Sequence, residues 1–222
     1  MFFPERCLQC NAVLEDKEHI LCRQCIGELP RSAMNQAFQN QAELRFNEGV
    51  RIERAASFCW YKPDTAFRDM IHKAKYGDRP EILYRLAQQA VDEWLESGFF
   101  DNIDVVVPVP MHKQKMRQRG YNQADYIADA IADMLGIQSC KDALVRVRND
   151  ESQTMQLTSM RAINVHGAFE LNQSKAEYLK GKMVLLVDDV LTTGSTLTEC
   201  IAQLRKIRKL RIVVFTLGIS IN

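Results

Sequence analysis

The sequence predicts an α/β protein, a mostly parallel sheet flanked by helices, with a small N-terminal metal-binding ribbon. Three observations carry this. From Val50 onward, short β-branched runs alternate with amphipathic stretches of helical period, the pattern of βαβ units. Two of those runs, Val105–Val109 and Met183–Val187, are apolar without alternation, as strands covered on both faces are. Ahead of them lies a Cys-rich stretch with little aliphatic content and two Cys-x-x-Cys pairs.

In chain order, residues 1–30 hold the four-cysteine ribbon. Residues 31–50, mostly the polar string RSAMNQAFQNQAELRFN, have too few apolar side chains for a core and read as a linker or connecting helix. The α/β domain takes residues 51–222. Its first strand is Ala55–Tyr61, followed by a short helix, Phe67–Ala74, that stops at the turn Tyr76-Gly77-Asp78. Glu81–Ser97 places Ile82, Leu83, Leu86, Ala90, Val91, Trp94 and Leu95 at helical spacing and closes at Gly98, a usual C-terminal signal. The strand Val105–Val109 comes next, then a basic loop and a helix over Asn122–Leu135 ended by Gly136. Leu144–Arg148 alternates like an exposed hairpin strand. Met183–Val187 is a buried strand, followed by a loop, a helix over Thr196–Arg208 and a last strand over Arg211–Leu217.

At 222 residues, 46% apolar and 26% charged, the chain has a globular composition, which argues against a disordered, fibrous or membrane-spanning protein. No apolar run approaches the roughly 20 residues that cross a bilayer. The start, MFFPERCLQC, has proline and charges where a signal peptide needs about 7–15 apolar residues. The expected location is the cytoplasm, where thiols stay reduced, with peripheral attachment to the inner membrane left open. The net charge of +1, from 29 basic and 28 acidic residues, is an average over unlike segments. Residues 81–104 hold six acids and one arginine, 111–124 four basic residues and no acid, and 196–222 five basic residues against Glu199. A neutral chain can therefore still present a basic surface to nucleic acid.

Cys7-x-x-Cys10 and Cys22-x-x-Cys25 form two knuckles suited to four thiolates around a tetrahedral zinc. Such a closed shell is structural and stabilises a segment that lacks a core. A redox dithiol pair is the other reading. His19, between the knuckles, is not needed, and Cys59, Cys140 and Cys200 read as small core residues.

The string MVLLVDDVLTTGST, residues 183–196, brings Asp188 and Asp189 to the carboxyl end of a buried strand, where open α/β sheets bind ligands. Thr192, Thr193, Gly194, Ser195 and Thr196 then lead into a helix. Their backbone N–H groups and hydroxyls suit a phosphate, and the two carboxylates suit sugar hydroxyls. Together they describe a ribose 5-phosphate site; a bare helix cap explains one hydroxyl but not the acids. Lys113, Lys115, Arg117 and Arg119 follow another buried strand as a loop for pyrophosphate or a nucleic-acid backbone, with a solvated basic loop as the plain alternative. Lys73, Lys75 and Tyr76 make a smaller basic and aromatic patch, equally readable as a solvated helix end. His72, His112 and His166 stand singly and read as ordinary polar residues.

The acid pair and threonine loop resemble the phosphoribosyl pyrophosphate (PRPP) motif of the type I phosphoribosyltransferases. With VPVP at Val107–Pro110, RGYNQA at Arg119–Ala124, Gln153-Thr154, RAINVHGAF at Arg161–Phe169, KYGD at Lys75–Asp78 and the four cysteines, nearly the whole chain resembles the competence protein ComF family, which includes GntX-like proteins. The resemblance implies a type I phosphoribosyltransferase-like fold with a zinc ribbon. It implies that Asp188 and Asp189 bind the ribose hydroxyls, that residues 192–196 bind the 5′-phosphate, and that magnesium sits on the pyrophosphate. Residues 148–169 would form a hairpin or flap over the substrate. A departure is the basic run RKIRKLR, Arg205–Arg211, where a glycine-containing turn is usual; it would crowd five cations at a helix end.

Two functions follow from the resemblance. One is handling of incoming single-stranded DNA in natural transformation, beside the DNA-uptake machinery. Lys113–Arg119 and Arg205–Arg211 would then track the backbone, and Tyr121, Tyr76 or Trp60 would stack on bases. The other is a phosphoribosyltransferase acting on an unidentified small nucleophile. In that case Asp188 and Asp189 hold the ribose, magnesium and Arg117/Arg119 stabilise pyrophosphate, and residues 153–164 exclude water. A GntX-like metabolic role is also permitted. No catalytic residue can be named from the sequence.

Overall fold

The computed structural model describes residues 6–15, 20–46, 50–148 and 167–221. The short helix α1 (Arg23–Gly27) lies in the N-terminal ribbon. Strand β1 (Arg54–Tyr61) is followed by α2 (Ala66–Tyr76) and α3 (Glu81–Trp94), which lead to β2 (Val105–Pro108). Helices α4 (Lys113–Arg119) and α5 (Gln123–Leu135) lead to β3 (Gln138–Ser139), and β4 (Leu144–Arg146) pairs antiparallel with β5 (Phe169–Leu171). After α6 (Ala176–Leu179) come β6 (Met183–Leu191), α7 (Ser195–Leu204) and β7 (Arg211–Ser220). The main sheet runs β1-β7-β6-β2-β3 with every pairing parallel, as the alternating pattern predicts.

The helices bury the faces that periodicity marks. On α3, Ile82, Leu83, Leu86, Ala90, Val91 and Trp94 are all buried, and Trp94 packs edge-on against Phe58, Phe99 and Phe215; Leu95, expected on the same face, instead falls in the turn after the helix and is exposed. The α-helix stops at Trp94, three residues before the expected end, and finishes in a 3-10 turn before Gly98 in the left-handed region. The last strands are longer than expected. Strand β6 continues through its two acids to Leu191, with Asp188 opposite Thr216 and Val190 opposite Gly218. Helix α7 is shorter than expected, so the run 205–210 forms turns beyond its end rather than a helical terminus. The expected loop at 113–119 is instead the helix α4. Its residues are good helix formers, His112 Nδ1 accepts from the Gln114 N–H at its start, and Gly120 ends it at φ +84°.

Residues 31–46 carry two 3-10 turns, Met34–Gln36 and Glu43–Arg45, and lie along β1. Ser32 N–H donates to the Phe58 carbonyl (2.9 Å) and Trp60 N–H to the Pro30 carbonyl (2.7 Å), so this segment covers an otherwise open sheet edge. Its polar composition reflects that job. Buried Asn40 donates to the carbonyls of Ala55 (2.8 Å) and Ala37 (3.0 Å) and accepts from the Ala42 N–H (2.8 Å). Arg31 forks onto Glu93 of α3 with both contacts at 2.6 Å and reaches the Ile26 carbonyl at 2.6 Å, tying α1 to the sheet domain.

Replacing Asn40 by alanine strands those buried backbone groups, at about 1–3 kcal/mol. Thermal unfolding should show a fall of roughly 2–4 °C per kcal/mol lost; an unchanged midpoint would mean that the segment is not anchored there.

Candidate ribose-phosphate site and basic cleft

The sheet order dictates where a ligand sits. From β2 the chain moves outward to β3, whereas from β6 it moves the other way to β7. The carboxyl ends of the adjacent strands β2 and β6 thus bracket the switch point at which open α/β sheets bind ligands. The 188–196 motif leaves from one strand and the basic segment containing α4 from the other.

On β6, Asp189 Oδ2 meets Lys75 Nζ at 2.8 Å, and Asp188 Oδ1 accepts from the Asp189 N–H at 2.8 Å. Burial drives the Asp188 carboxyl up to about 7, helped by the Asp189 charge and opposed by the backbone hydrogen bond, Lys75 and Arg146. Burial pulls the Lys75 ammonium down, but Asp189 and Asp188 outweigh it and hold it above its ordinary range. Lys75 is therefore the counter-charge of the acid pair, not a solvated helix end. Its helical phase carries the signal: Phe67 and Ile71, eight and four residues earlier on α2, are fully buried, and i, i+4 residues share a face.

The loop after the acids turns at Gly194, φ +83°, into α7. The Thr193 and Ser195 hydroxyls pair at 3.0 Å, and Asp188, Leu191, Thr192, Gly194, Ser195 and Thr196 border a small pocket of about 30 Å³. A Cβ at Gly194 would come within 2.9 Å of the Arg45 carbonyl oxygen. Glycine is required here both by its backbone angle and by this close approach of the 31–46 segment. Arg45 itself donates to the Ser220 carbonyl at the end of β7 (2.8 Å).

On the other side of Lys75 opens a cleft of about 760 Å³ lined by Lys75, Tyr76, Asp78, Lys115, Arg117 and Arg119, among others. Four cations face one carboxylate there; Lys113 is not among the lining residues. The Arg119 guanidinium lies 5.2 Å from the centroid of the Tyr76 ring, and the Tyr121 hydroxyl donates to the Ala74 carbonyl, clamping the RGYNQA segment to α2. The second basic run is elsewhere. Arg211 pairs with Met183 at the amino end of β6, roughly 16 Å along the strand from Asp188. Residues 205–211 thus lie at the opposite end of the sheet, and the structure does not bring them to the acid pair.

Strands β4 and β5 pack on α7. Glu199 of α7 accepts from the Ala168 N–H at 2.8 Å, and Arg146, stacked 5.2 Å over Phe169, lies near enough to Asp188 to favour its charge. The expected flap, with Gln153, Thr154, Arg161 and His166, lies outside the described residues apart from its ends. His19 is outside them too.

In the ribbon, the Sγ atoms of Cys7, Cys10, Cys22 and Cys25 all lie within 4.8 Å of one another. Sulfurs about 2.3 Å from a tetrahedral zinc stand roughly 3.8 Å apart, and Cys10 and Cys22 are 3.6 Å apart. None of the seven cysteines is in a disulfide. Burial works to raise the Cys7 thiol, but the backbone donors of Cys10, Cys22 and Gln9 bring it down to about 6, whereas burial and the neighbouring thiols hold Cys25 well above its usual range; the fit to a metal rests on the geometry of the four sulfurs. The four residues fit a metal such as zinc. Cys59, Cys140 and Cys200 are buried in the core.

Residues 76–217 match the phosphoribosyl transferase domain model. The chain is 37% identical to competence protein F of Haemophilus influenzae over 93% of each chain. It is 32% identical to DNA utilization protein YhgH of Salmonella typhi, over 68% of this chain and 65% of that one. With competence protein ComFC of Bacillus subtilis it shares 25% identity over 81% of this chain and 63% of that one. Among the described residues, no helix is long and apolar enough to cross a membrane.

Two measurements test the site. The raised Asp188 pKa means that the folded state holds a proton that the unfolded carboxyl, with a pKa near 3.9, gives up more readily. The resulting destabilisation is absent below about pH 4, grows as pH rises through about 7, and is complete above it. Asp188→Asn should therefore melt higher than the parent at pH 8 and alike at pH 4; a constant difference would contradict the burial argument. Metal analysis should find one zinc per chain, lowered by Cys22→Ser, and a folded, metal-free ribbon would refute the metal site.

Proposed function

The chain belongs to the phosphoribosyl transferase domain family and, within it, groups with competence protein F; on that premise we propose that it handles incoming single-stranded DNA during natural transformation, with PRPP as a ligand of the same molecule. The relatives' names, competence protein and DNA utilization protein, support the DNA reading over a purely metabolic one. The observation that carries it is Lys75, which pairs with Asp189 on one side and lines the basic cleft on the other. A polyanion in the cleft and a ribose phosphate on the loop would then be neighbours sharing one cation.

In this reading the ribose hydroxyls take the Asp188 and Asp189 carboxylates, the 192–196 loop takes the 5′-phosphate, and magnesium accompanies the pyrophosphate. Ribose binding displaces Lys75 from Asp189 and frees its ammonium for phosphate in the cleft. Lys115, Arg117 and Arg119 hold the strand's backbone, so PRPP occupancy and DNA affinity are coupled. A zinc ion in the four-cysteine cluster maintains the ribbon, and the protein works in the cytoplasm beside the uptake machinery.

Fluorescence anisotropy with a labelled single strand, across a salt series with and without PRPP and magnesium, tests this. Affinity should fall with salt, and Arg117→Ala with Arg119→Ala should flatten the slope of log K against log salt by about 1.4, at roughly 0.7 per phosphate contact. Asp188→Ala with Asp189→Ala should abolish the response to PRPP while the strand still binds. No single-strand binding at low salt would overturn the DNA reading, whereas PRPP turnover with a small nucleophile and no DNA binding would favour a transferase.

A further inference from the structure

Phosphate binding in the cleft gives the ring of Tyr76, which helps line it, no task. It is 73% exposed at the last position of α2, yet it is packed: Arg119 lies over it at 5.2 Å and the His72 ring stands 5.5 Å away, tilted by 48°. The other two aromatic residues suggested by the sequence are otherwise engaged. Tyr121 is half-buried, with its hydroxyl on the Ala74 carbonyl and its ring edge-on to Tyr126. Trp60 is half-buried against the core on β1.

Cations alone do not select single strands, because a duplex has the higher charge density and attracts them more strongly. Selection needs a group that a duplex cannot engage, and an unpaired base offers a π-face that base pairing and stacking hide. A planar ring backed by a guanidinium stacks on any base, since every base has such a face.

Resting on the DNA-handling reading above, we propose that Tyr76 is a stacking platform for an unpaired base of a nucleic-acid strand whose phosphates lie on Arg117 and Arg119. Lys75, its chain neighbour, links this platform to the acid pair, so a strand in the cleft reaches the edge of the ribose-phosphate site.

The test compares the whole protein with Tyr76→Leu and Tyr76→Phe in anisotropy titrations at one salt concentration, using a normal single strand, an abasic strand of equal length and a duplex. Tyr76→Leu should bind the normal strand about 5- to 100-fold more weakly and Tyr76→Phe within about twofold of the parent. The abasic strand should not distinguish the variants, and the parent's preference for single strand over duplex should shrink in Tyr76→Leu. An equal loss on the abasic strand would show the ring acting only by holding Arg119, and would overturn the platform. So would unchanged binding of the normal strand by Tyr76→Leu, which leaves DNA handling in place. Failure of the parent to bind any strand would remove both readings together.

Discussion

Asp188 and Asp189 are consecutive residues on a central strand of a parallel sheet, and burial disfavours charge on either of them. The Lys75–Asp189 ion pair, at 2.8 Å, makes the arrangement tenable: it supplies a cation from a different helix and leaves Asp188 to carry the cost as a raised pKa. Much of the surrounding architecture holds that cation in place. Helix α2 buries Phe67, Met70, Ile71 and Ala74, and Tyr121 anchors its end through the Ala74 carbonyl. In the proposed reading a ligand with vicinal hydroxyls competes for the same carboxylates, so the ion pair also sets what binding must displace.

Segments that look peripheral converge on this centre. The 31–46 stretch covers the β1 edge and presses the Arg45 carbonyl against Gly194 in the loop after the acid pair. The ribbon is tied to α3 through Arg31 and Glu93 and to α2 by Lys73, whose ammonium donates to the Leu8 carbonyl at 3.3 Å. The four-cysteine cluster therefore rests on the helix that delivers Lys75. The cysteines lie apart from the acid pair, but their position depends on the same helix.

Motifs contiguous in the chain were legible, because strand, loop and helix following one another leave a local record. Residues 183–196 read directly as a strand carrying an acid pair into a loop before a helix, and the two Cys-x-x-Cys pairs as one cluster. Charge clusters were less informative. Lys113–Arg119 and Arg205–Arg211 look alike as strings, yet one borders the cleft and the other lies at the far end of the sheet. Strand direction decides which end a loop occupies, and direction follows from pairing, which composition does not record. The polar 31–46 stretch likewise reads as a connector because it is anchored by hydrogen bonds to distant backbone groups and by Met34, Ala42 and Phe46, buried without a regular apolar period.

By itself, then, the sequence determined the parallel α/β class, the four-cysteine cluster and the acid pair that a strand carries into a hydroxyl-rich loop, since each depends on the spacing of near neighbours. Only the tertiary structure decided that Lys75 neutralises Asp189, that Arg45 closes on Gly194, that Arg119 backs Tyr76 and that the second basic run stands apart. Those are contacts between segments distant along the chain. Their geometry follows from strand order and helix packing, which become definite only when the whole core has assembled.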